Sequence, residues 1–185
     1  MKILWEIYVK KIACLFLAIF GSSLASAEVI RSNYKSNLCL AVNNDAAAGW
    51  RTDSNVEVAA CEGDDHQDFT LVPVQLNSGE TVYKLQALGQ CVDIDSEDTE
   101  SWRQGNNVLV APCTDGISQH FDRVEVRDGW FSLRSRLDGR CLDIDLNNGN
   151  GWRTETNVHL WGCHEEPNQL WSVPEINPES PAQNP

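Results

Sequence analysis

Short alternating runs of apolar and polar residues recur along this chain, and each group is bounded by turn residues. One run leads into a cysteine (Val82 to Leu85; Trp130 to Leu133) and is followed by a turn at Gly89-Gln90 or Asp138-Gly139. A second spans that cysteine, as Cys91-Val92-Asp93-Ile94 and Cys141-Leu142-Asp143-Ile144. A third precedes a later cysteine (Val56 to Val58, Val108 to Val110, Val158 to Leu160), and a fourth starts at an aromatic residue beyond it. A period of two marks half-buried strands, and beyond the first 27 residues no window long enough for a helix shows apolar residues at the i, i+3, i+4, i+7 spacing. The pattern predicts twelve short strands in three similar groups, hence an all-β closed or nearly closed barrel.

The cysteines make the grouping quantitative. Cys39 and Cys61, Cys91 and Cys113, and Cys141 and Cys163 are each 22 residues apart, and the pairs begin at intervals of 52 and 50. Other marks keep the same offsets: Trp50-Arg51, Trp102-Arg103 and Trp152-Arg153; Asn55-Val56, Asn107-Val108 and Asn157-Val158; then Gln67, Gln119 and Gln169, each two residues before Phe69, Phe121 or Trp171. This is a threefold internal repeat. Its units fall at about 28–75, 76–128 and 129–174.

Length and charge refine the picture. The 185 residues leave room for one ordinary domain. The first 27 combine Lys2, Lys10 and Lys11 with an apolar run from Ile12 to Phe20 and end in Ala25-Ser26-Ala27, the form of a cleavable signal peptide. The apolar run is too short to cross a bilayer, so no membrane insertion is expected. Cys14 lies inside this run and is not read as a lipid attachment site. Cleavage after Ala27 would remove those three lysines and Glu6, taking the formal charge from −13 to −15. A surface so acidic repels phosphate backbones, which argues against nucleic acid as a partner. Residues 175–185 are proline-rich without an apolar period and read as a disordered tail.

Six cysteines remain after cleavage, an even number in an exported chain, which points to disulfides formed in a secreted or periplasmic setting. Six allow 15 pairings. A threefold structure should repeat its bridge, which selects Cys39 with Cys61, Cys91 with Cys113 and Cys141 with Cys163. Zinc is disfavoured because the C-x2-C spacing is absent.

Three units of Cys-x-(Asp/Ala)-(Ile/Val), then Val-x-(Leu/Val)-x-x-Cys, then Gln-x-(Trp/Phe), in an exported chain, resemble the ricin B-type lectin β-trefoil family. The resemblance covers about residues 28 to 174. It implies a β-trefoil in which the aromatic of Gln-x-Trp, here Phe69, Phe121 or Trp171, fills the core where the units meet. It also implies a sugar site in each competent unit. That site takes an Asp two residues after the first cysteine, an aromatic two before the second, a polar residue two before that, and an Asn beside the Gln of Gln-x-Trp. The chemistry suits a pyranose, whose vicinal hydroxyls are bridged by a carboxylate and an amide while its C–H face stacks on a ring.

On this pattern the third unit has the full carbohydrate-binding set of Asp143, His159, Trp161, Asn168 and Gln169. The second keeps Asp93 but has Leu109, Ala111 and Ser118; the first has Ala41, Glu57, Ala59 and His66. One working site, in the third unit, is therefore expected. His159 stands where the family commonly has Gln, so a hydroxyl contact there would depend on pH. The repeated Trp-Arg elements recur in units without a site and are expected to be structural; a second sugar surface at Trp152-Arg153 is the sharper alternative.

Rival chemistries are weaker. Asp143 to Gly149 begins like a calcium loop, but Asn148 and Thr154 occupy the positions that need Gly and an acid, so no metal or other cofactor is expected. No H-E-x-x-H or G-x-S-x-G motif is present and the mature chain has no cysteine to spare as a nucleophile, so the chain is not expected to be an enzyme. The expected function is a secreted lectin for a galactose-type or related hexose, with glycans as partners. The alternative is a protein-binding trefoil, a toxin accessory subunit or a hydrolase inhibitor, which would have a toxin or enzyme partner chain.

Overall fold

Alternation along each strand sets which side chains turn inward, and the computed structural model shows that inward set meeting in one core. The structure describes residues 28–43, 55–95, 107–146 and 157–173. The expected signal peptide, the three Trp-Arg elements and the proline-rich tail lie outside these residues.

Among the described residues are thirteen strands, one more than the pattern predicts: β1 (Glu28–Val29), β2 (Arg31–Ser32), β3 (Leu38–Val42), β4 (Val56–Ala60), β5 (Asp68–Gln75), β6 (Thr81–Ala87), β7 (Gln90–Asp95), β8 (Asn107–Ala111), β9 (Phe121–Arg127), β10 (Trp130–Ser135), β11 (Cys141–Ile144), β12 (Val158–Trp161) and β13 (Trp171–Ser172). The extra strand arises because the first strand of unit one is broken at Ile30, which is buried in the core between β1 and β2. The helical segments among the described residues are three 3-10 turns, at Asp65–Gln67, Ile117–Gln119 and Pro167–Gln169.

Pairing closes a ring. β1 pairs with β5, β5 with β6, β6 with β9, β9 with β10, β10 with β13, and β13 with β2. Since β1 and β2 are consecutive, six strand positions form a barrel without a free edge. Three hairpins, β3–β4, β7–β8 and β11–β12, cap it. This is a β-trefoil with pseudo-threefold symmetry and one disulfide inside each unit. Cys39–Cys61, Cys91–Cys113 and Cys141–Cys163 are bonded, with Cα–Cα separations of 5.1, 4.9 and 5.1 Å.

The core draws the same positions from each unit. Phe69, Phe121 and Trp171 are fully buried together with Phe131, Leu85 and Leu133, the place the resemblance implies for them. The Gln two residues before each aromatic is an internal clamp. Gln67 accepts the backbone N–H of Glu62 and Gly63 and donates to the Ala60 carbonyl. Gln119 and Gln169 repeat the clamp on Thr114 with Pro112 and on His164 with Gly162.

The repeated Asn-Val mark also acquires a role. Asn55 donates to Asn157 Oδ1 (3.1 Å), Asn107 to Asn55 Oδ1 (2.9 Å) and Asn157 to Asn107 Oδ1 (3.2 Å). The three amides form a closed ring where the hairpins meet. Bridges Asn55↔Leu109, Glu57↔Asn157 and His159↔Asn107 knit the same hairpins together. A cyclic arrangement gives every member one donor and one acceptor, so the buried amides are satisfied by each other.

Candidate functional site

In the third hairpin, register and alternation together build the candidate site. Leu142 and Ile144 of β11, and Val158 and Leu160 of β12, point into the core. The intervening side chains therefore share the opposite face. Across the pair, Asp143 lies opposite His159 and Cys141 opposite Trp161. Asp143, His159 and Trp161 are thus neighbours on that face, beside the Cys141–Cys163 bridge. The turn Pro167–Gln169 packs on β11 and supplies the remaining two expected residues.

Asp143 is the hub of the cluster. Asn168 Nδ2 reaches both carboxylate oxygens at 3.0 Å, and Gln169 Nε2 donates to Oδ2 at 2.6 Å. His159 Nε2 stands 3.4 Å from Oδ1 and His164 Nε2 3.3 Å from Oδ2. Asp143 is 3% exposed, and a buried carboxyl group is tolerable only with such a set of partners. Trp161 is 38% exposed, one of the few large apolar side chains left open among the described residues. Its ring stacks on that of His159, with centroids 5.7 Å apart and planes within 10°.

The structure therefore brings together all five residues expected from the sequence, but they differ in access. Gln169 is fully buried and its amide is used on Asp143, Gly162 and the His164 N–H, so it supports the carboxylate from behind. His159 is 7% exposed. The rim is formed by Trp161 and His164, with Asp143 and Asn168 at the floor. His164 was not among the expected residues. Its Nδ1 accepts the Glu166 N–H at 3.2 Å, which leaves Nε2 to face Asp143. Glu165 sits between the two at φ 59°, a left-handed conformation taken by Gly63 (φ 70°) at the same offset of unit one.

The other two units show what the substitutions leave. In the second, Gln119 still donates to Asp93 Oδ2 at 2.8 Å, but Asp93 faces Leu109 and Cys91 faces Ala111 across the hairpin. In the first, Ala41 and Ala59 stand in place of the Asp and the aromatic, and a cavity of about 190 Å³ opens there, lined also by Glu57, Glu62 and His66. Glu57 accepts from Asn43 Nδ2 at 2.9 Å. Glu62, which borders this cavity, is at the offset of His164, directly after the second cysteine.

The run from Asp143 has its leading carboxylate engaged by Asn168 and Gln169. Among the described residues, no group of three or more His, Cys, Asp or Glu is arranged to hold a metal ion.

The comparisons with known proteins agree with this architecture. The family model described as the ricin-type beta-trefoil lectin domain matches residues 79–179. No curated protein matches the chain. Among solved structures it is similar to the designed threefold-symmetric protein ThreeFoil (24% identity, TM-score 0.61), covering 79% of this chain and 96% of that one. It is also similar to an exo-beta-1,3-galactanase from Clostridium thermocellum (19%, TM-score 0.62; 82% of this chain, 30% of that one). A third is the Polyporus squamosus lectin bound to the epitope Neu5Aca2-6Galb1-4GlcNAc (17%, TM-score 0.58; 80% and 48%). The chain thus spans nearly all of the first but less than half of the other two.

Proposed function

This chain belongs to the ricin-type beta-trefoil lectin domain family, and from that premise we propose that it is a secreted or periplasmic lectin whose third unit binds a galactose-type or related hexose. The observation that carries the proposal is the convergence on one face of the Asp143 carboxylate, the Asn168 amide and the exposed Trp161 ring.

Each group has a distinct task. Trp161 offers an apolar platform to the C–H face of a pyranose. Asp143 accepts from sugar hydroxyls, and Asn168, pinned across both its oxygens, fixes its plane. His164 adds a polar group at the rim, and Gln169 holds the carboxylate in its orientation from below. The aqueous competitor for every such hydrogen bond limits the net gain per bond to about 0.5–1.5 kcal/mol. A single site of this kind supports an affinity of about 1 mM, or roughly −4 kcal/mol, with tighter attachment reached by presenting several copies. The first two units lack the platform, and neutral hexoses are not expected there. The family and the absence of a nucleophile motif support a binding module without a catalytic role.

A glycan array read with the wild type, Asp143→Ala and Trp161→Ala tests this. Binding that is lost in both variants supports the site. Binding that persists in both overturns its location. A silent array, with a partner chain still captured by both variants, would establish the protein-binding trefoil instead.

A further inference from the structure

We infer that the cavity of the first unit is a second binding site, separate from the sugar site, and that it takes the ammonium-bearing side chain of a lysine presented by a basic partner polypeptide. The cavity exists because Ala41 of β3 and Ala59 of β4 stand where the third unit has Asp143 and Trp161. Its volume is about 190 Å³. An apolar cavity of about 150 Å³ holds a benzene molecule. A lysine side chain has fewer heavy atoms than benzene and fits. A hexose has about twice as many, and this cavity offers it no ring to stack on.

The lining divides by chemistry. Val42 joins the two alanines in an apolar wall suited to the methylene stem of lysine, while Glu57, Glu62 and Asp64 bring three carboxylates. No Lys or Arg is among the described residues that line it. Glu57 accepts from Asn43 Nδ2 at 2.9 Å, so the inference leans on the other two. Asp64 holds the N-cap position of the turn Asp65–Gln67 yet makes no side-chain cap hydrogen bond, the ordinary use of an Asp at such a place. His66, also in the lining, has Nε2 at 3.7 Å from Asp65 Oδ1 and Nδ1 buried without a hydrogen-bond partner. A carboxylate beside Nε2 favours the tautomer with its proton there, which makes Nδ1 an acceptor.

A lysine ammonium carries three donors and no acceptor, the complement of such a lining. An anion would be repelled, and a neutral hydroxyl would forgo the charge-assisted bonds. The acidic segment is also held in place before any ligand arrives. Gln67 Oε1 accepts the N–H groups of Glu62 and Gly63, its own N–H donates to the Asp64 carbonyl at 3.0 Å, and the Cys39–Cys61 bridge ties the segment to β3. Little ordering is left for binding to bring about. The pair of acids is confined to this unit, since the offsets of Glu62 and Asp64 carry Thr114 and Gly116 in the second and His164 and Glu166 in the third. The formal charge of −13 steers a basic partner toward the chain.

The experiment is an NMR titration of the isotopically labelled full chain with three probes. They are lysine blocked at its α-amine and carboxyl groups, the same compound acetylated on its side-chain amine, and methyl glucosaminide, which offers the ammonium on a sugar. Blocked lysine is expected to shift the amide signals of Ala41, Ala59 and Gln67 with a Kd of about 1 mM, the acetylated probe to leave them in place, and methyl glucosaminide to bind at least about tenfold more weakly. Glu62→Gln combined with Asp64→Asn should weaken the lysine response roughly tenfold. Glu125→Gln combined with Asp128→Asn removes the same charge from exposed positions of the β9–β10 hairpin, outside the cavity lining, and should change the response by less than about twofold. Ala59→Leu fills the cavity without altering charge and should abolish the response, with thermal melts reporting that each variant is folded; should Ala59→Leu not fold, the paired charge variants carry the test. The inference is overturned by a wild type without a saturable shift, by equal shifts from the acetylated probe, by a Glu62/Asp64 variant no weaker than the Glu125/Asp128 one, by a folded Ala59→Leu that still binds, or by a preference for methyl glucosaminide, which would make the site one for an amino sugar. None of the substituted residues belongs to the third unit, so the glycan-array result stands or falls separately.

Discussion

Removing one amide from the asparagine ring should cost more than any exposed substitution. In Asn107→Ala the Oδ1 of Asn55 loses its donor at 2.9 Å and the Nδ2 of Asn157 loses its acceptor at 3.2 Å. Asn55 and Asn107 are both buried. An orphaned buried polar group costs about 1–3 kcal/mol; Asn157 is only half-buried, so its amide regains water and the loss is set mainly by Asn55, at roughly 1–3 kcal/mol. For a chain of this size about 1 kcal/mol moves Tm by roughly 2–4 °C, so a loss at the top of that range, near 3 kcal/mol, appears as a Tm about 6–12 °C lower. The assay is urea unfolding followed by circular dichroism with disulfides intact, with Ile117→Ser on the exposed face as a control expected within about 0.5 kcal/mol. The ring makes a second demand. Asn55→Ala and Asn107→Ala break the same bond, so together they should destabilise by less than the sum of the two singles, with a coupling of about 0.5–3 kcal/mol. A single-variant loss below about 0.5 kcal/mol, or strict additivity of the pair, would refute a cooperative ring.

Two further expectations follow from the same coordinates. His120 is buried, and burial first, with the nearby Lys84 charge second, holds its imidazole below the ordinary 6.5; the folded state therefore binds that proton less readily than the unfolded one, and the stability contributed above pH 6.5 is lost as pH falls through the lowered folded value. Replacing His120 by Leu, the residue at the same offset of unit three (Leu170), should flatten the slope of stability against pH below 6.5, and an unchanged slope in urea titrations across that range would discount His120 as its source. At the turn after the third bridge, Glu165→Gly should be neutral or stabilise by up to about 1 kcal/mol, because glycine adopts φ 59° without the steric cost paid by a side chain; the reciprocal Gly63→Ala should destabilise by a similar amount in the same assay.

The parts of the fold that the sequence made legible are those repeated in triplicate. Three pairs of cysteines at one spacing select the bridges, and three aromatics at one offset identify the core ring of Phe69, Phe121 and Trp171. Asp143 and Trp161 share a face because strand alternation and hairpin register are local consequences of the sequence. Other features depend on closure of the whole barrel. That Asn55, Asn107 and Asn157 donate to one another is set by how three distant hairpins meet, which no single unit encodes. His164 escaped notice because its offset carries Glu62 and Thr114 in the other units, so repetition gave no signal; adjacency to Cys163, opposite Asp143, was the available clue. In unit one, the loss of an Asp and an aromatic read simply as a lost site, whereas two alanines on a rigid hairpin leave open volume.

Barrel closure has a kinetic consequence. Strand β2 takes β13 as its neighbour, so a strand near the start of the first unit and the last strand described depend on each other. During synthesis, residues 31–32 are presented long before Trp171 and Ser172, and the sheet stays open until the final unit emerges. Each 22-residue loop can be bridged as soon as its own second cysteine appears, but the ring as a whole is an end-of-chain event.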